Sequence, residues 1–234
     1  MKLDVHIYGL HERDNTLVSL AKKLKVKAAN IHYDDRSKEE RGGCLYAAKR
    51  AWLAGVPKNV THRLVLPDDV DVCDGFIDIC YKIIETHPDK VISLFPFDFM
   101  RKTDGVDEIN TPYFVARHLT GAGIIMPIKY IKPCFDYIDL CCKFSDNSPD
   151  DEAIQEWLDL NNIPIITTIP AILQHIGDNS IVTKNAPIRR TVYFEEKPVA
   201  NWNCKQYAKI SEIEWFFSNH GIKPNKTYKI KILE

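Results

Sequence analysis

Three aspartates after an apolar stretch form the first group of residues whose types and spacing could carry chemistry. In the sequence LVLPDDVDV, Asp68, Asp69 and Asp71 follow Leu64–Leu66. Mg²⁺ and Mn²⁺ are usually bound by one or two carboxylates together with phosphate oxygens and water. The spacing therefore predicts a divalent-cation site at the tip of a buried strand. The alternative is an aspartate-rich turn before the next helix.

A histidine near the end of another apolar stretch is the second candidate. His175 lies in IPAILQHIGDNSIVTKN, nine residues before Lys184. A neutral imidazole is a common metal ligand, and a lysine ammonium can contact a phosphate. The alternative for His175 is a solvated side chain at a strand end.

Two further segments precede predicted helices. In SPDDEA, Asp150 or Asp151 could act as a general base for a hydroxyl, or could simply favour the helix N-terminus. In GGCLYAAKRAW, two glycines could leave helix amides free to face an anion, with Lys49 and Arg50 further along. That segment has neither the Walker sequence nor the pattern G-x-G-x-x-G.

Alternating strands and helices must position these groups. Apolar runs, helical spacing and Gly or Pro breaks predict strands at 3–10, 29–35, 64–67 and 90–97, and helices at 16–26, 44–56 and 74–88, the last capped by Asp74. This order predicts an α/β fold with a mostly parallel sheet and helices on both faces. Polar residues then fall at the carboxyl ends of strands, where ligands bind such sheets: Arg13, Asp34, Asp35, Asp68 and Asp69.

The second half of the chain is less regular. Residues 111–119 favour a strand or a short helix, and residues 120–131 contain Gly121 and Gly123 before an apolar run. A helix is expected at 148–162, capped by Ser148 or Asp150, and a strand interrupted by Pro170 is expected near His175. We expect one domain over 1–195 and an extension over 196–234 that contains a helix and a strand.

Composition excludes several classes of protein. The 234 residues carry 31 basic and 32 acidic side chains, which argues against a strongly basic nucleic-acid coat protein. The charge is uneven, since residues 67–179 hold 8 basic and 20 acidic groups. Seven cysteines without a C-x-x-C pair, no apolar leader and no run of 18 apolar residues predict a cytoplasmic protein with free thiols and no membrane span.

The order of these motifs resembles a known family. LPDDV, GAGIIMP, DDEAIQEWL and IPAILQHIGDNSIV, in this succession, look like small glycosyltransferases of the A-type (GT-A, Rossmann-like) fold. The similarity extends over about residues 3–195 and is greatest to compact forms encoded by bacteriophages and large viruses. It implies a nucleotide-sugar donor, UDP-sugar first, and a divalent cation, Mn²⁺ or Mg²⁺.

The resemblance also implies roles for particular residues. The metal would be held by Asp69, with Asp71 as a second ligand and His175 as a late one, although Pro67 stands where many relatives have Glu. Asp150 or Asp151 matches the base of inverting members. The donor would contact the remaining candidates: Gly9, Arg13, Asp34, Asp35, Lys49, Arg50, Asp68, Gly121, Gly123 and Lys184.

The sequence leaves the identity of the acceptor open, and it leaves two other functions open. A viral origin would make a hydroxymethylated DNA base an acceptor, and a basic segment with nearby aromatic residues could contact its phosphates: Lys205, Lys209, Lys223, Lys226, Lys229 and Lys231, with Trp202, Tyr207 and Trp215. A glycan or protein acceptor is equally open. The competing functions are a nucleotidyltransferase, for which the single glycine at Gly9–Arg13 is a poor match, and a module that binds without turnover.

Overall fold

A β-sheet organises the part of the chain that the structure describes. The structure is a computed structural model that describes residues 1–95, 106–110, 113–116, 119–168, 171–177, 194 and 230–231, with only the backbone for 106–110, 113–116 and 230–231. The strands are β1 (Leu3–Gly9), β2 (Ile31–Tyr33), β3 (His62–Pro67), β4 (Val70–Val72), β5 (Val91–Ser93), β6 (Val106–Asn110), β7 (Tyr113–Ala116), β8 (Ile124–Pro127), β9 (Ile165–Thr168), β10 (Leu173–His175) and β11 (Ile230–Lys231).

The order of the main sheet is β11-β6-β7-β9-β5-β8-β3-β1-β2. In its central six strands, from β9 to β2, only β8 runs against the others. The predicted mostly parallel α/β architecture is therefore confirmed at this level. A separate antiparallel pair, β4 with β10, lies outside the main sheet.

Helices cover both faces of this sheet. They are α1 (Asp14–Leu24), α2 (Leu45–Leu53), α3 (Phe76–Thr86), α4 (Ile128–Leu140) and α5 (Asp150–Leu160). The buried side chains of α1 and α3 form one core with Leu64 and Leu66, whereas those of α2, α4 and α5 form a second core with Val65. Successive side chains of β3 thus point to opposite faces, and burial on both faces explains its continuous apolar run. No helix in the described ranges combines the length and apolar character needed to cross a bilayer.

Helix α4 was not anticipated from the sequence. Pro133 lies within it, and a proline normally argues against a helix interior. Its buried residues Ile131, Cys134, Phe135 and Ile138 nevertheless have helical spacing and pack on the sheet. Burial of this face outweighs the local propensity.

Two predicted helix caps were wrong. The residue before α3 is Gly75, in a left-handed conformation with φ of 69°, rather than Asp74. The residue before α5 is Pro149, and neither helix has a side-chain hydrogen bond at its cap. The segment at 111–119 contains strand β7. The domain boundary at 195/196 and the helix expected beyond it lie outside the described residues.

A buried charged network ties β1 to α2. The Arg63 side chain is fully buried and donates through Nη2 to Asp4 Oδ2 at 2.7 Å. Its Nη1 also donates to the carbonyls of Trp52 and Ala54 at 2.6 and 2.7 Å, where α2 ends. Because a buried guanidinium must have its donors satisfied, this network fixes the end of α2 against the sheet.

Candidate functional site

The candidate site lies where the direction of strand addition changes. The chain leaves β1 for β2 on one side and then returns to β3 on the other. In open α/β sheets, ligands bind outside the carboxyl ends of the strands at such a switch point. The loops that follow Gly9 and Pro67 are therefore the expected walls of a binding crevice.

Asp68 is packed against the backbone at the end of β1. Its Oδ2 accepts a hydrogen bond from the Leu10 amide at 2.8 Å, and its Oδ1 accepts one from Arg13 Nη1 at 3.2 Å. The same Arg13 nitrogen lies 2.5 Å from Asp69 Oδ2. The structure thus brings three predicted donor and metal residues together.

The two neighbouring carboxylates have different acidities. Burial, and then the charge of Asp69, raise the pKa of Asp68 to about 6. Burial would also raise the pKa of Asp69, but His175 and Arg13 hold it below its ordinary value. Asp69 is therefore the member of the pair that stays charged and suits a cation.

His175 reaches Asp69 through the small antiparallel pair. The register of β10 with β4 sets His175 opposite Val70, and the Ile176 amide donates to the Asp69 carbonyl at 2.8 Å. His175 Nε2 then lies 3.3 Å from Asp69 Oδ2. A Cβ on Gly177 would be 3.0 Å from both side chains, so the glycine leaves room for this approach.

Two side chains of this arrangement can offer ligands to a divalent cation. Asp69 and His175 supply a carboxylate oxygen and an imidazole nitrogen on one side of a crevice, and His175 Nδ1 is buried without a hydrogen-bond partner within the described ranges. No group of three or more His, Cys, Asp or Glu side chains in those ranges is arranged to hold a metal. The donor pair fits a cation that takes its remaining ligands from phosphate and water, as Mg²⁺ commonly does.

Asp71, the expected second ligand, lies apart from this pair. Its Oδ1 accepts hydrogen bonds from Lys23 Nζ and from the Val72 amide, both at 2.8 Å. Asp71 lies between two buried valines in β4, so its side chain points to the face of β4 opposite theirs. The candidate site therefore includes Asp68 and Asp69, which follow β3, but not Asp71.

A second carboxylate pair lies at the start of α5. Asp150 is buried, and its Oδ1 lies 3.1 Å from Cys44 Sγ while its Oδ2 lies 3.4 Å from the Tyr8 hydroxyl. Burial, and then the charge of Asp151, raise the pKa of Asp150 to about 7. Asp150 can therefore gain or lose a proton near neutral pH.

Asp151 is half-buried and lies beside Gly121. Its Oδ2 accepts a hydrogen bond from the Gly121 amide at 3.0 Å, and its Oδ1 accepts one from the Glu152 amide at 3.0 Å. A Cβ on Gly121 would be 3.0 Å from Asp150 and 3.4 Å from Asp151. Gly121 thus lies beside the aspartate pair, and Asp151 is the more accessible carboxylate of that pair.

Tyr8 is influenced by both carboxylate groups. Burial raises the pKa of the Tyr8 phenol well above its ordinary value, and the negative charges of Asp150, Asp69 and Asp151 raise it further. The Tyr8 hydroxyl contacts Asp150 directly, 3.4 Å from its Oδ2. Asp69 and Asp151 act on the phenol through their charge.

The end of β2 forms the other wall. The Asp34 amide donates to the Gly9 carbonyl at 2.9 Å, and the Asp34 carboxylate is held by Arg36 through Nε at 2.9 Å and Nη2 at 2.7 Å. These hydrogen bonds hold the pKa of Asp34 below its ordinary value although burial opposes them. The rings of His11 and Tyr33 stack beside this wall, with centroids 4.2 Å apart.

The basic residues of α2 diverge. Arg50 Nη1 contacts Asp35 Oδ2 and the Tyr33 carbonyl, both at 3.0 Å, and so stays at the β2 wall. Lys49 instead pairs with Asp139 of α4, on the outer side of the helix layer. The structure therefore brings Arg50, and not Lys49, to the site.

The glycines before α2 do not leave its amides open to an anion. The amides of Leu45 and Tyr46 donate to the carbonyls of Ser148 and Asp146 at 3.1 and 3.2 Å. A Cβ on Gly43 would be 2.1 Å from the Asn147 carbonyl oxygen, so this glycine is explained by the close approach of the two segments. The anion-binding interpretation of these amides was wrong because the loop before α5 already satisfies them.

Gly123 is also explained by packing. A Cβ there would be 2.4 Å from Leu173 Cδ2 and 3.0 Å from Leu66 Cδ2, both in the core. Lys184 lies outside the described residues. The donor contacts expected for Gly123 and Lys184 stay predictions.

Three residues of the site were not singled out from the sequence. Tyr8 and Cys44 contact Asp150 only because the fold brings β1, α2 and α5 together. Arg36 had a local signal, since an arginine two residues after a buried aspartate can fold back on it. Its second contact, Nη1 to Asn147 Oδ1 at 2.8 Å, joins segments more than 100 residues apart.

No protein-family model matches this chain, and neither does any curated protein.

Proposed function

We propose that this chain is a metal-dependent glycosyltransferase of the A-type fold that transfers a hexose or pentose from a nucleotide sugar, with UDP-sugar as the first choice of donor. One observation carries the proposal. Asp69, which pairs with His175, and the Asp150–Asp151 pair all act on the Tyr8 phenol, at the switch point of a mostly parallel sheet. A sugar held between them would have its leaving group on one side and its acceptor on the other.

The donor diphosphate belongs on the Asp69 side. Asp69 and His175 would hold the cation, Mn²⁺ or Mg²⁺, which when bound stabilises the negative charge of the departing diphosphate. Arg13 adds a fixed positive charge at the same edge. The nucleoside belongs on the β2 wall, where His11 and Tyr33 offer an aromatic face and Asp34 a fixed carboxylate.

The acceptor belongs on the α5 side. Asp151 is the half-buried carboxylate and takes the proton of the acceptor hydroxyl, whose oxygen forms the new bond to the sugar C1 as the bond from C1 to the diphosphate breaks. This direct displacement inverts the anomeric configuration. The amides of Gly121 and Glu152 hold the Asp151 carboxylate in place, and the neighbouring Asp150 is buried with Tyr8.

The acceptor itself is proposed from the sequence. A hydroxymethylated base of viral DNA would suit the basic lysines of the C-terminal segment, which lies outside the described residues apart from the backbone of β11. A DNA acceptor predicts binding that weakens steeply with salt. A glycan acceptor predicts little dependence on salt. The proposal includes a cytoplasmic setting, in which the six described cysteines stay as free thiols.

The test is a thermal-shift panel followed by a turnover assay. UDP-, GDP-, CMP- and dTDP-sugars are each added with Mn²⁺ or with EDTA. A donor at 100 times its Kd should stabilise the fold by about 2.7 kcal/mol, but only with Mn²⁺. Release of the nucleoside diphosphate then separates a transferase from a module that only binds. The proposal fails if no donor stabilises the protein in either condition.

A further inference from the structure

A single oxygen of Asp69 is contacted by two different groups. Arg13 Nη1 lies 2.5 Å from Asp69 Oδ2, and His175 Nε2 lies 3.3 Å from the same atom. The Arg13 side chain is 20 % exposed and also contacts Asp68 Oδ1 at 3.2 Å. The oxygen that faces the histidine is thus already engaged by a guanidinium.

The backbone holds Arg13 in this position. Arg13 ends the short 3-10 turn His11–Arg13 that directly follows Leu10, and its amide donates to the Leu10 carbonyl at 2.9 Å. Its own carbonyl accepts a hydrogen bond from the Thr16 hydroxyl at 2.9 Å, at the start of α1. A change of partner would therefore move the side chain of Arg13 and leave its backbone anchor in place.

A guanidinium and a divalent cation compete for this oxygen. A cation bound between Asp69 and His175 would need Asp69 Oδ2, and two positive centres at one atom repel each other strongly. Asp68 does not lose its support if Arg13 leaves, because the Leu10 amide holds its other oxygen at 2.8 Å. The exchange therefore requires only a new partner for Arg13.

A diphosphate supplies that partner. Guanidinium groups pair with phosphate oxygens in a two-pronged geometry, with charge-assisted hydrogen bonds. Building on the proposed function, we infer that Arg13 is an internal counter-ion of the acidic pair that exchanges from Asp69 to the donor diphosphate, so that the divalent cation binds tightly only together with the nucleotide. Arg13 thereby couples cation binding to donor binding.

The experiment measures Mn²⁺ binding by electron paramagnetic resonance of the free ion, with no turnover involved. Wild type is compared with Arg13→Met and Arg13→Gln, each with and without UDP. Lys23→Met is the matched control. Lys23 also forms an ion pair with a nearby aspartate, Asp71, but among the described residues it forms no ion pair or hydrogen bond with Asp69 or His175. Circular dichroism checks that each variant is folded.

In wild type, we expect UDP to tighten Mn²⁺ binding at least about tenfold. Both Arg13 variants should bind Mn²⁺ without UDP at least about tenfold more tightly than wild type, and the factor by which UDP tightens Mn²⁺ binding should be smaller than in wild type. Lys23→Met should behave as wild type. If the Arg13 variants gain no affinity for Mn²⁺ while wild type still binds Mn²⁺ with UDP, the exchange is wrong and the proposed function stands. If no protein binds Mn²⁺ even with UDP, both are wrong.

Discussion

The backbone of Gly9 lies directly against the carboxylate of Asp68. A Cβ placed on Gly9 would be 2.4 Å from both Cβ and Oδ2 of Asp68, closer than atoms can approach. Gly9 ends β1, and Asp68 directly follows β3, the parallel strand beside it. Glycine at this position therefore sets how deeply Asp68 can sit in the crevice and, through it, where Asp69 and Arg13 meet.

Replacing Gly9 with alanine should damage both stability and donor binding. Because Asp68 is buried and held by the Leu10 amide, it cannot move aside freely, and we expect a loss of about 1–3 kcal/mol in the free energy of unfolding. Urea denaturation measures this. The control is Gly55→Ala, where a Cβ would contact nothing within 4 Å. Equal stability of the two variants would contradict the close contact.

Asp69 and Asp71 should differ as metal-site residues. Asp69→Asn removes the charge beside His175 and should weaken Mn²⁺-dependent UDP binding at least about 100-fold while the fold survives. Asp71→Asn removes only the pairing with Lys23 and should leave that binding unchanged. Titration calorimetry with UDP and Mn²⁺ measures both. An Asp71→Asn defect as large as that of Asp69→Asn would make Asp71 a ligand after all.

Asp151 and Asp150 should separate into a base and a supporting residue. Asp151→Asn should lower kcat about 10²–10⁴-fold with little change in donor affinity, since it removes only the proton acceptor. A fall in donor affinity with unchanged kcat would assign Asp151 to donor binding instead. Steady-state kinetics with a donor from the thermal-shift panel distinguish the two outcomes.

Asp150 should affect how the reaction rate depends on pH. Its pKa is raised to about 7, so above that pH its charge makes the neighbouring Asp151 a stronger base. The rate of wild type should therefore rise as pH increases through about 7. Asp150→Asn should remove this inflection, and an unchanged profile would assign the inflection to another group.

A half-buried histidine, His32, should make the fold sensitive to acid. His32 Nε2 lies 2.9 Å from His6 Nδ1, and burial lowers the pKa of His32 to about 4. The unfolded chain binds this proton below about pH 6.5, whereas the folded chain does so only near pH 4. Stability is therefore fully present above pH 6.5 and falls as pH decreases toward 4.

The variant His32→Gln isolates this contribution. Urea denaturation of wild type and variant between pH 7.5 and 4 gives the difference in unfolding free energy at each pH. We expect wild type to lose stability relative to the variant as pH falls through this window. A difference that does not vary with pH would exclude His32 as the source of the acid sensitivity.

The sequence by itself determined the α/β class and the edge at which the site lies. A continuous apolar run such as Leu64–Leu66 indicates a strand that is buried on both faces, and the chain must turn where this strand ends. Asp34 directly follows β2 and Asp68 directly follows β3, so the order of the chain alone brought them to the carboxyl edge of the sheet. Local propensity did not predict α4, because Pro133 argues against a helix there. The helix is stabilised by burial of one of its faces.

Only the tertiary structure decided which polar residues meet. Asp69 and Asp71 are two residues apart and of one type, yet Asp69 lies in the turn before β4 and pairs with His175, whereas Asp71 lies within β4 and pairs with Lys23. Asp150 acquires its raised pKa from burial against Tyr8 and Cys44, which are more than 100 residues away in the chain. Such contacts depend on packing between segments that are distant in the sequence. Residue types and local spacing do not predict that packing.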